Sequence, residues 1–182
     1  MGVLVRASGT IGRVTQKRYA PVTIEVVAPD FPEAAEILRD YLGEMISRYY
    51  GRVPSDAEIS RHLGPRHGSD DLVEPTGVLL LARSAGDGPP RPVGCAGVRR
   101  LDEHTRELTR MFVRPEARGE GIAALLLAEA EQRARADGAS VIRLNTRKDL
   151  VEARALYAKH GYREIPRYGD DPLADHWFEK KL

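Results

Sequence analysis

Residues 23–28 (Thr-Ile-Glu-Val-Val-Ala) alternate and are rich in β-branched side chains, the pattern of a half-buried strand. Asp30 then stands as an N-cap, with Pro32 in the first turn and Glu33 three residues after the cap. The periodicity predicts a helix from there to about Tyr50, with Ala35, Leu38, Leu42 and Met45 on one face. Pro54-Ser55-Asp56 opens a second, short helix that ends near Leu63-Gly64-Pro65, and residues 65–76 read as a loop that contains His67. Three strands follow: the apolar run Gly77–Arg83, then Pro92–Leu101 after the turn chemistry of Gly86-Asp87-Gly88-Pro89-Pro90, then Glu107–Val113, bounded by Pro115. Gly94 and Gly97 in the second of these permit close backbone approach or a bulge.

Past Pro115 the period changes. Gly119 to about Ala136 is helical, with Ile122, Leu126, Ala130 and Ala134 four apart and Gly138 as the stop. Ala139–Thr146 is a strand. Asp149-Leu150-Val151-Glu152 has the form of a capping box with Asp149 as the cap. It starts a helix with Leu150, Ala153, Leu156 and Tyr157 on one face, and Gly161 ends it. Tyr162–Ile165 and His176–Leu182 are two closing strands around a polar loop. The predicted order is β-α-α-β-β-β-α-β-α-β-β, an α/β chain built on one mixed sheet.

Length and composition narrow the class. The 182 residues fit one domain, and 42% apolar with 30% charged residues is ordinary for a globular protein. The longest apolar runs, Gly77–Ala82 and Gly121–Ala128, are far too short to span a membrane. A lone cysteine, Cys95, excludes an internal disulfide and a cysteine cluster for zinc; in mid-strand it reads as a small buried apolar group. A net charge of +1 carries no nucleic-acid footprint. The charge is uneven: residues 1–24 hold Arg6, Arg13, Lys17 and Arg18 and no acid, which leaves −3 on the rest. Residues 1–21 therefore read as a basic N-terminal arm or an added strand, and 22–182 as the domain proper. The arm lacks the apolar core and cleavage site of a secretory signal, and Arg6 stands where a myristoylation motif needs Ser or Thr. The expected address is cytoplasmic.

The chemistry concentrates in Glu107-Leu-Thr-Arg-Met111-Phe112-Val113-Arg-Pro-Glu-Ala-Arg118-Gly119-Glu120-Gly121-Ile122-Ala123. A strand runs into a turn, a glycine-rich loop and a long helix. Unpaired N–H groups at a helix start carry partial positive charge, and two glycines let an anion come close to them. Arg118 adds a fork of charged donors. The plain alternative is that Gly119 and Gly121 only serve a tight turn. A Walker loop is excluded because Ile122 and Ala123, not Lys and Ser/Thr, follow Gly121. Gly119-x-Gly121-x-x-Ala124 formally fits a dinucleotide fingerprint. Arg114–Arg118 separate it from the strand end, however, and Asn145 stands where an acid is expected.

Arg118-Gly-Glu-Gly121-Ile-Ala123, with its strand before and helix after, resembles the Arg/Gln-x-x-Gly-x-Gly/Ala loop of the GNAT superfamily of N-acetyltransferases. Ala155-Leu-Tyr157-Ala-Lys-His-Gly161-Tyr162 is similar to that superfamily's Leu-Tyr-x-x-x-Gly-Phe/Tyr segment, at the right distance downstream. The resemblance implies a GNAT-like three-layer fold over residues 22–182 and acetyl-CoA as co-substrate, with no metal. It places the pyrophosphate on the backbone of Arg118, Gly119, Glu120, Gly121, Ile122 and Ala123. The pantetheine arm falls along Met111, Phe112 and Val113, and Asn145 joins the cofactor set. Strand groups there would pair with the amide-rich arm like an added strand, and a main-chain donor near Met111 would steady the oxyanion.

Tyr157 takes the place of the family's general acid for the departing thiolate; its plain alternative is a core ring with a paired hydroxyl. Glu107 takes the place where some members carry the base that deprotonates the amine; its plain alternative is an exposed edge carboxylate. Two departures stand out. Leu150 occupies the position of a frequent cofactor-contacting Asn, so that contact is not carried over. Glu120 brings a negative charge into the phosphate loop.

The acceptor is less legible. Tyr41, Tyr49, Tyr50 and Arg52 lie near the first helix, which borders the acceptor cleft in this fold. Tyr168, Asp170, Asp171, Asp175 and His176 cluster in the last loop, where acids would steer a cationic amine. Individually these read as solvated loop residues, and His62 and His67 as surface residues. A small-molecule amine is the expected acceptor. A protein lysine or N-terminus, or a domain that senses acyl-CoA without turnover, are the alternatives. No nucleic acid or membrane partner is expected, and a homodimer is left open.

Overall fold

The computed structural model describes residues 21–63, 69–85 and 88–182. The expected basic arm, apart from Pro21, lies outside these residues, as do His67 and the Gly86-Asp87 part of the predicted turn. The elements run β1 (Val22–Val27), α1 (Pro32–Tyr50), α2 (Asp56–Leu63), β2 (Gly77–Ser84), β3 (Arg91–Arg100), β4 (Thr105–Val113), α3 (Ile122–Ala136), β5 (Val141–Thr146), α4 (Val151–Lys159), β6 (Arg163–Ile165) and β7 (His176–Lys181). This is the predicted order. A 3-10 turn, Pro115–Ala117, links β4 to α3.

The seven strands form one mixed sheet in the order β1-β2-β3-β4-β5-β7-β6, antiparallel except where β4 meets β5. Leu80 and Ala82 of β2 face α3, whereas Leu79 and Leu81 face α1 and α2, so both sides of the strand are buried. That explains the continuous apolar run at 77–82. One core joins the sheet to α3 and α4 through Ile122, Leu126, Leu127, Ala130, Tyr157 and Phe178. The other joins it to α1 and α2 through Ala34, Ile37, Leu38, Leu63, Cys95 and Phe112.

Three local readings change. The buried stripe of α1 is Ala34, Ile37, Leu38 and Ile46, about one position round from the predicted face. This rotation turns Leu42 and Met45 toward a cleft instead. Asp30 does not cap α1: Phe31 is the N-cap residue, and no side chain caps the helix. Asp149 does not cap α4 either. Leu150 holds that position, Asp149 is drawn to Arg147 at 2.8 Å, and Glu152 reaches Arg48 on α1. At α4, then, ion pairs take both members of the predicted box, one with an arginine two residues away and one with an arginine of α1.

Two features of β4 shape the rest. Opposite Ala96 of β3, β4 carries two residues, Arg110 and Met111, which is a β-bulge, and Arg110 adopts φ 51°. β4 also pairs with β5 over only three residues, Thr105↔Val141, Arg106↔Ile142 and Glu107↔Arg143, after which the strands part. The glycine of β3 beside this region is there for close approach. A Cβ built on Gly94 would lie 2.7 Å from the Phe112 carbonyl oxygen. A strand backbone cannot give way as a flexible side chain does. Gly94→Ala is therefore expected to cost about 1–3 kcal/mol and to lower the Tm by several degrees in a thermal melt, with a cooperative transition retained.

Candidate active site

The parting of β4 from β5 opens a cleft of about 730 Å³. Glu107–Val113 form one wall and Asn145–Arg147 the facing one. The glycine loop lies at one end, and Ala153, Leu156 and Tyr157 project from α4. Strand ends that have lost their neighbour keep unpaired main-chain donors and acceptors, so this wall suits a ligand rich in amides.

At the loop end, Gly119 and Gly121 both have φ 80°, a conformation that other residues adopt only under strain. A Cβ at either position would meet nothing within 4 Å, so the two glycines leave open space in front of the N-terminus of α3. Gly121 is the N-cap of that helix and has no side-chain cap, which leaves the first-turn N–H groups to a ligand. Arg118, Gly119, Gly121, Ile122 and Ala123 line the cleft. Glu120 is half-buried and is not among the lining residues. The Arg118 guanidinium is engaged by the protein: Nε donates to the Val113 carbonyl at 2.9 Å and Nη2 to Glu44 at 2.5 Å.

Tyr157 is 5% exposed and packs its ring against Tyr162 and Phe178, with centroids at 5.7 and 6.2 Å. Burial raises its pKa, so the phenol stays protonated throughout the neutral range. Glu107 is not an edge carboxylate in solvent. It is 3% exposed and sits on the last β4 residue paired with β5, at the apex of the opening. Arg99 donates to Oε2 through Nε at 2.5 Å and also pairs through Nη2. The Tyr168 hydroxyl donates to Oε1 at 3.0 Å.

Of the other residues singled out in the sequence, Tyr41 and Asp171 reach the cleft. Tyr49 and Tyr50 are exposed and meet edge to face with centroids 4.8 Å apart, and Arg52 pairs with Glu58. His62 is exposed, with Nδ1 2.8 Å from the Glu58 carbonyl. Asp170 is exposed, Asp175 accepts the Lys148 N–H at 2.9 Å, and His176 meets Glu164 at 2.6 Å. Sequence reasoning missed Glu44, Arg99 and Arg110, which line the cleft too. Their spacing does not mark them for the cleft: Glu44 reaches Arg118 across 74 residues, Arg99 meets Glu107 on the neighbouring strand, and Arg110 stands on a strained backbone. Among the described residues, no group of three or more His, Cys, Asp or Glu is placed to hold a metal ion. No helix among them is long and apolar enough to cross a membrane.

A sheet parted beside a glycine-lined helix start defines an acyl-CoA N-acyltransferase fold. The sequence profile of the Acetyltransferase (GNAT) family matches residues 35–162, and the chain belongs to that family. The IAA acetyltransferase of Azospirillum brasilense is 34% identical over 129 residues, which cover 64% of this chain and 82% of that protein. Among solved structures, a putative acyl-CoA N-acyltransferase from Klebsiella pneumoniae superposes with a TM-score of 0.65 at 26% identity, covering 88% of this chain and 97% of the other. An N-acetyltransferase from Thermoplasma acidophilum, solved in complex with coenzyme A, superposes with a TM-score of 0.64 at 20% identity, over 89% and 99%. The protein is thus an acetyltransferase of a family that acts on amine acceptors.

Cys95 completes the picture by what it cannot do. Its thiol is buried, bonds to the Arg110 carbonyl at 3.3 Å and is pushed up to about 12 by burial. Thiolate is therefore negligible at neutral pH. In a thiol assay at pH 8 with an aromatic disulfide reagent, the native protein should release almost no chromophore, and one equivalent per chain should appear on addition of denaturant.

Proposed function

We propose that this chain transfers an acetyl group from acetyl-CoA to the primary amine of a small molecule, by direct attack while both are bound. The observation that carries this is a single cleft in which the parted β4 edge, the Gly119–Gly121 cradle, Tyr157 and Glu107 meet. The residues present fit acetyl-CoA. Open space before the first N–H groups of α3 suits a diphosphate, and the edge that β5 has left along Met111, Phe112 and Val113 suits the pantetheine amides. Asn145, on the facing strand end, would add a side-chain amide to the arm's surroundings. Arg118 would add charge to the cradle from its place on Glu44.

When bound, acetyl-CoA supplies an activated thioester carbon. Main-chain N–H groups near Met111 would stabilise the charge that develops on the acyl oxygen. Glu107 would take the proton that an ammonium must lose before its nitrogen can form the C–N bond. Tyr157 would donate its phenolic proton to the sulfur as the C–S bond breaks; burial keeps that proton in place beforehand. The second amine proton, lost as the amide forms, would restore the Tyr157 phenol, so the net products are an N-acetyl amide, a free thiol and the one proton taken by Glu107. Most of the acceleration would come from holding amine and thioester together.

A small acceptor is supported by the crowding at the Glu107 end. Arg99, paired to Asp71, closes one side, and the loop bearing Tyr168 and Asp171 closes another. The name of the Azospirillum relative points the same way. The test is a mass-spectrometric screen of amines with acetyl-CoA. Acetylation of free amines in preference to peptides is expected, and tight acetyl-CoA binding without any product would make the chain a sensor.

Two variants test the parts separately. Gly121→Glu puts a carboxylate where phosphates would lie, and its side chain has room. Coenzyme A affinity by calorimetry should fall at least about tenfold, roughly 1.4 kcal/mol, with a folded circular dichroism spectrum; unchanged affinity would misplace the cradle. Tyr157→Phe keeps the packed ring and deletes the proton. With an amine found in the screen, kcat should drop about 10²-fold while coenzyme A affinity holds. A wild-type kcat from pH 6 to 9 would leave Tyr157 as a core residue.

A further inference from the structure

We infer that Tyr168 is a positioning residue that keeps one oxygen of Glu107 turned toward the acceptor, an inference that rests on the reading of Glu107 as the base. The arrangement around Glu107 should not persist by itself. A guanidinium and a carboxylate side by side favour the two-pronged pair, with one donor on each oxygen. Here Arg99 places Nε and Nη2 on the same oxygen, Oε2, and its Nη1 reaches Asp71 at 2.8 Å. Oε1 stays off the guanidinium, and the partner that holds it is the Tyr168 hydroxyl, 61 residues along the chain.

The hydroxyl is itself held from behind. The Arg143 guanidinium lies 5.4 Å from the centroid of the Tyr168 ring. Arg143 is the β5 residue in register with Glu107, and its Nε donates to Glu179 of β7 at 2.8 Å. The Tyr168 ring thus has a contact with β5, through Arg143 and its Glu179 partner, besides its bond to Glu107. Burial, and then the Glu107 charge, raise the phenol's pKa, so it stays protonated and acts as a donor. The charged groups around the carboxylate are Arg99 and Asp71 on one side and Arg143 with Glu179 on the other. Asp171 lines the same cleft from the Tyr168 loop.

An oxygen that accepts one hydrogen bond retains a second lone pair. With Tyr168 on Oε1, that lone pair remains for an amine proton in the cleft. Without the hydroxyl, the carboxylate can rotate into the two-pronged pair with Arg99, which draws Oε1 toward the guanidinium and turns its free lone pair away from the cleft. The Tyr168 loop therefore does more than wall the acceptor site: it keeps a buried ion pair from closing on itself.

The test is a double-mutant cycle of Tyr168→Phe and Glu107→Gln, read as coenzyme A thiol release from acetyl-CoA with the fastest amine of the screen. Tyr168→Phe should lower kcat about tenfold or more, leaving the acceptor KM and the calorimetric coenzyme A affinity within about twofold. In the Glu107→Gln background the same change should have almost no further effect on kcat. A loop that merely shapes the site would raise KM, and its effect would multiply with that of Glu107→Gln; either result overturns the inference, as does an unchanged kcat in Tyr168→Phe. Wild-type turnover by Glu107→Gln alone is a different failure: it removes the base from the proposed function and Tyr168's role with it.

Discussion

The separation of two parallel strands after three residues of pairing is the constraint on which the site depends. A sheet interior normally pairs every backbone group, because an unpaired one out of water costs roughly 1–3 kcal/mol. Here the bulge at Arg110, with its left-handed φ, bends the far half of β4 away from β5. The Arg110 carbonyl at the bend accepts the Cys95 thiol. The strain and the open edge lie in the same half of one strand. Backbone strain of this kind is commonly stored at functional sites. The cleft, the access to the N-terminus of α3 and the exposed strand edge all follow from that bend.

Because the strands part, the two cores lose their shared floor at that end, and polar contacts join them instead. Arg48 and Glu152 meet at 2.5 Å between α1 and α4, and Arg147 donates to the Met45 carbonyl at 3.1 Å. Arg118 reaches Glu44, which also pairs with Arg48. Several of these groups are partly exposed, and exposed pairs contribute at most about 1 kcal/mol each. They orient the walls of the cleft without clamping it shut. The Arg99–Glu107 pair is of another kind. Its carboxylate is almost fully buried, so removing Arg99 would leave a desolvated charge without its cationic partner, whereas Arg99 is partly exposed and keeps Asp71.

A second buried charge lies on the residue beside Glu107, in the part of β4 that pairs with β5. Arg106 is 2% exposed, and its guanidinium donates to the Thr105, Asp102 and Asp137 carbonyls and to the Asp137 carboxylate. It ties the start of β4 to the C-terminus of α3. With that end pinned, the bend at Arg110 displaces only the far half of the strand.

The amino-acid sequence by itself determined the order of all eleven elements and the glycine loop before α3. It also set the face of α4 that carries Tyr157, through 3.6-residue and two-residue periods and the conformational reach of glycine. These are local properties, settled within a few residues. Tertiary structure decided the rest. It assigned Glu152 to Arg48 of α1 in place of a cap, and it rotated the buried stripe of α1 by about a residue. It set Glu107, which the sequence left open between a base and an edge carboxylate, at the apex of the opening, between Arg99 and Tyr168. Charge–charge and hydrogen-bond partners are chosen by proximity in three dimensions, and spacing along the chain does not encode which distant donor arrives. The Tyr168–Glu107 bond spans 61 residues, two helices and the strand pairing of β5, and exists only because the sheet brings those segments together.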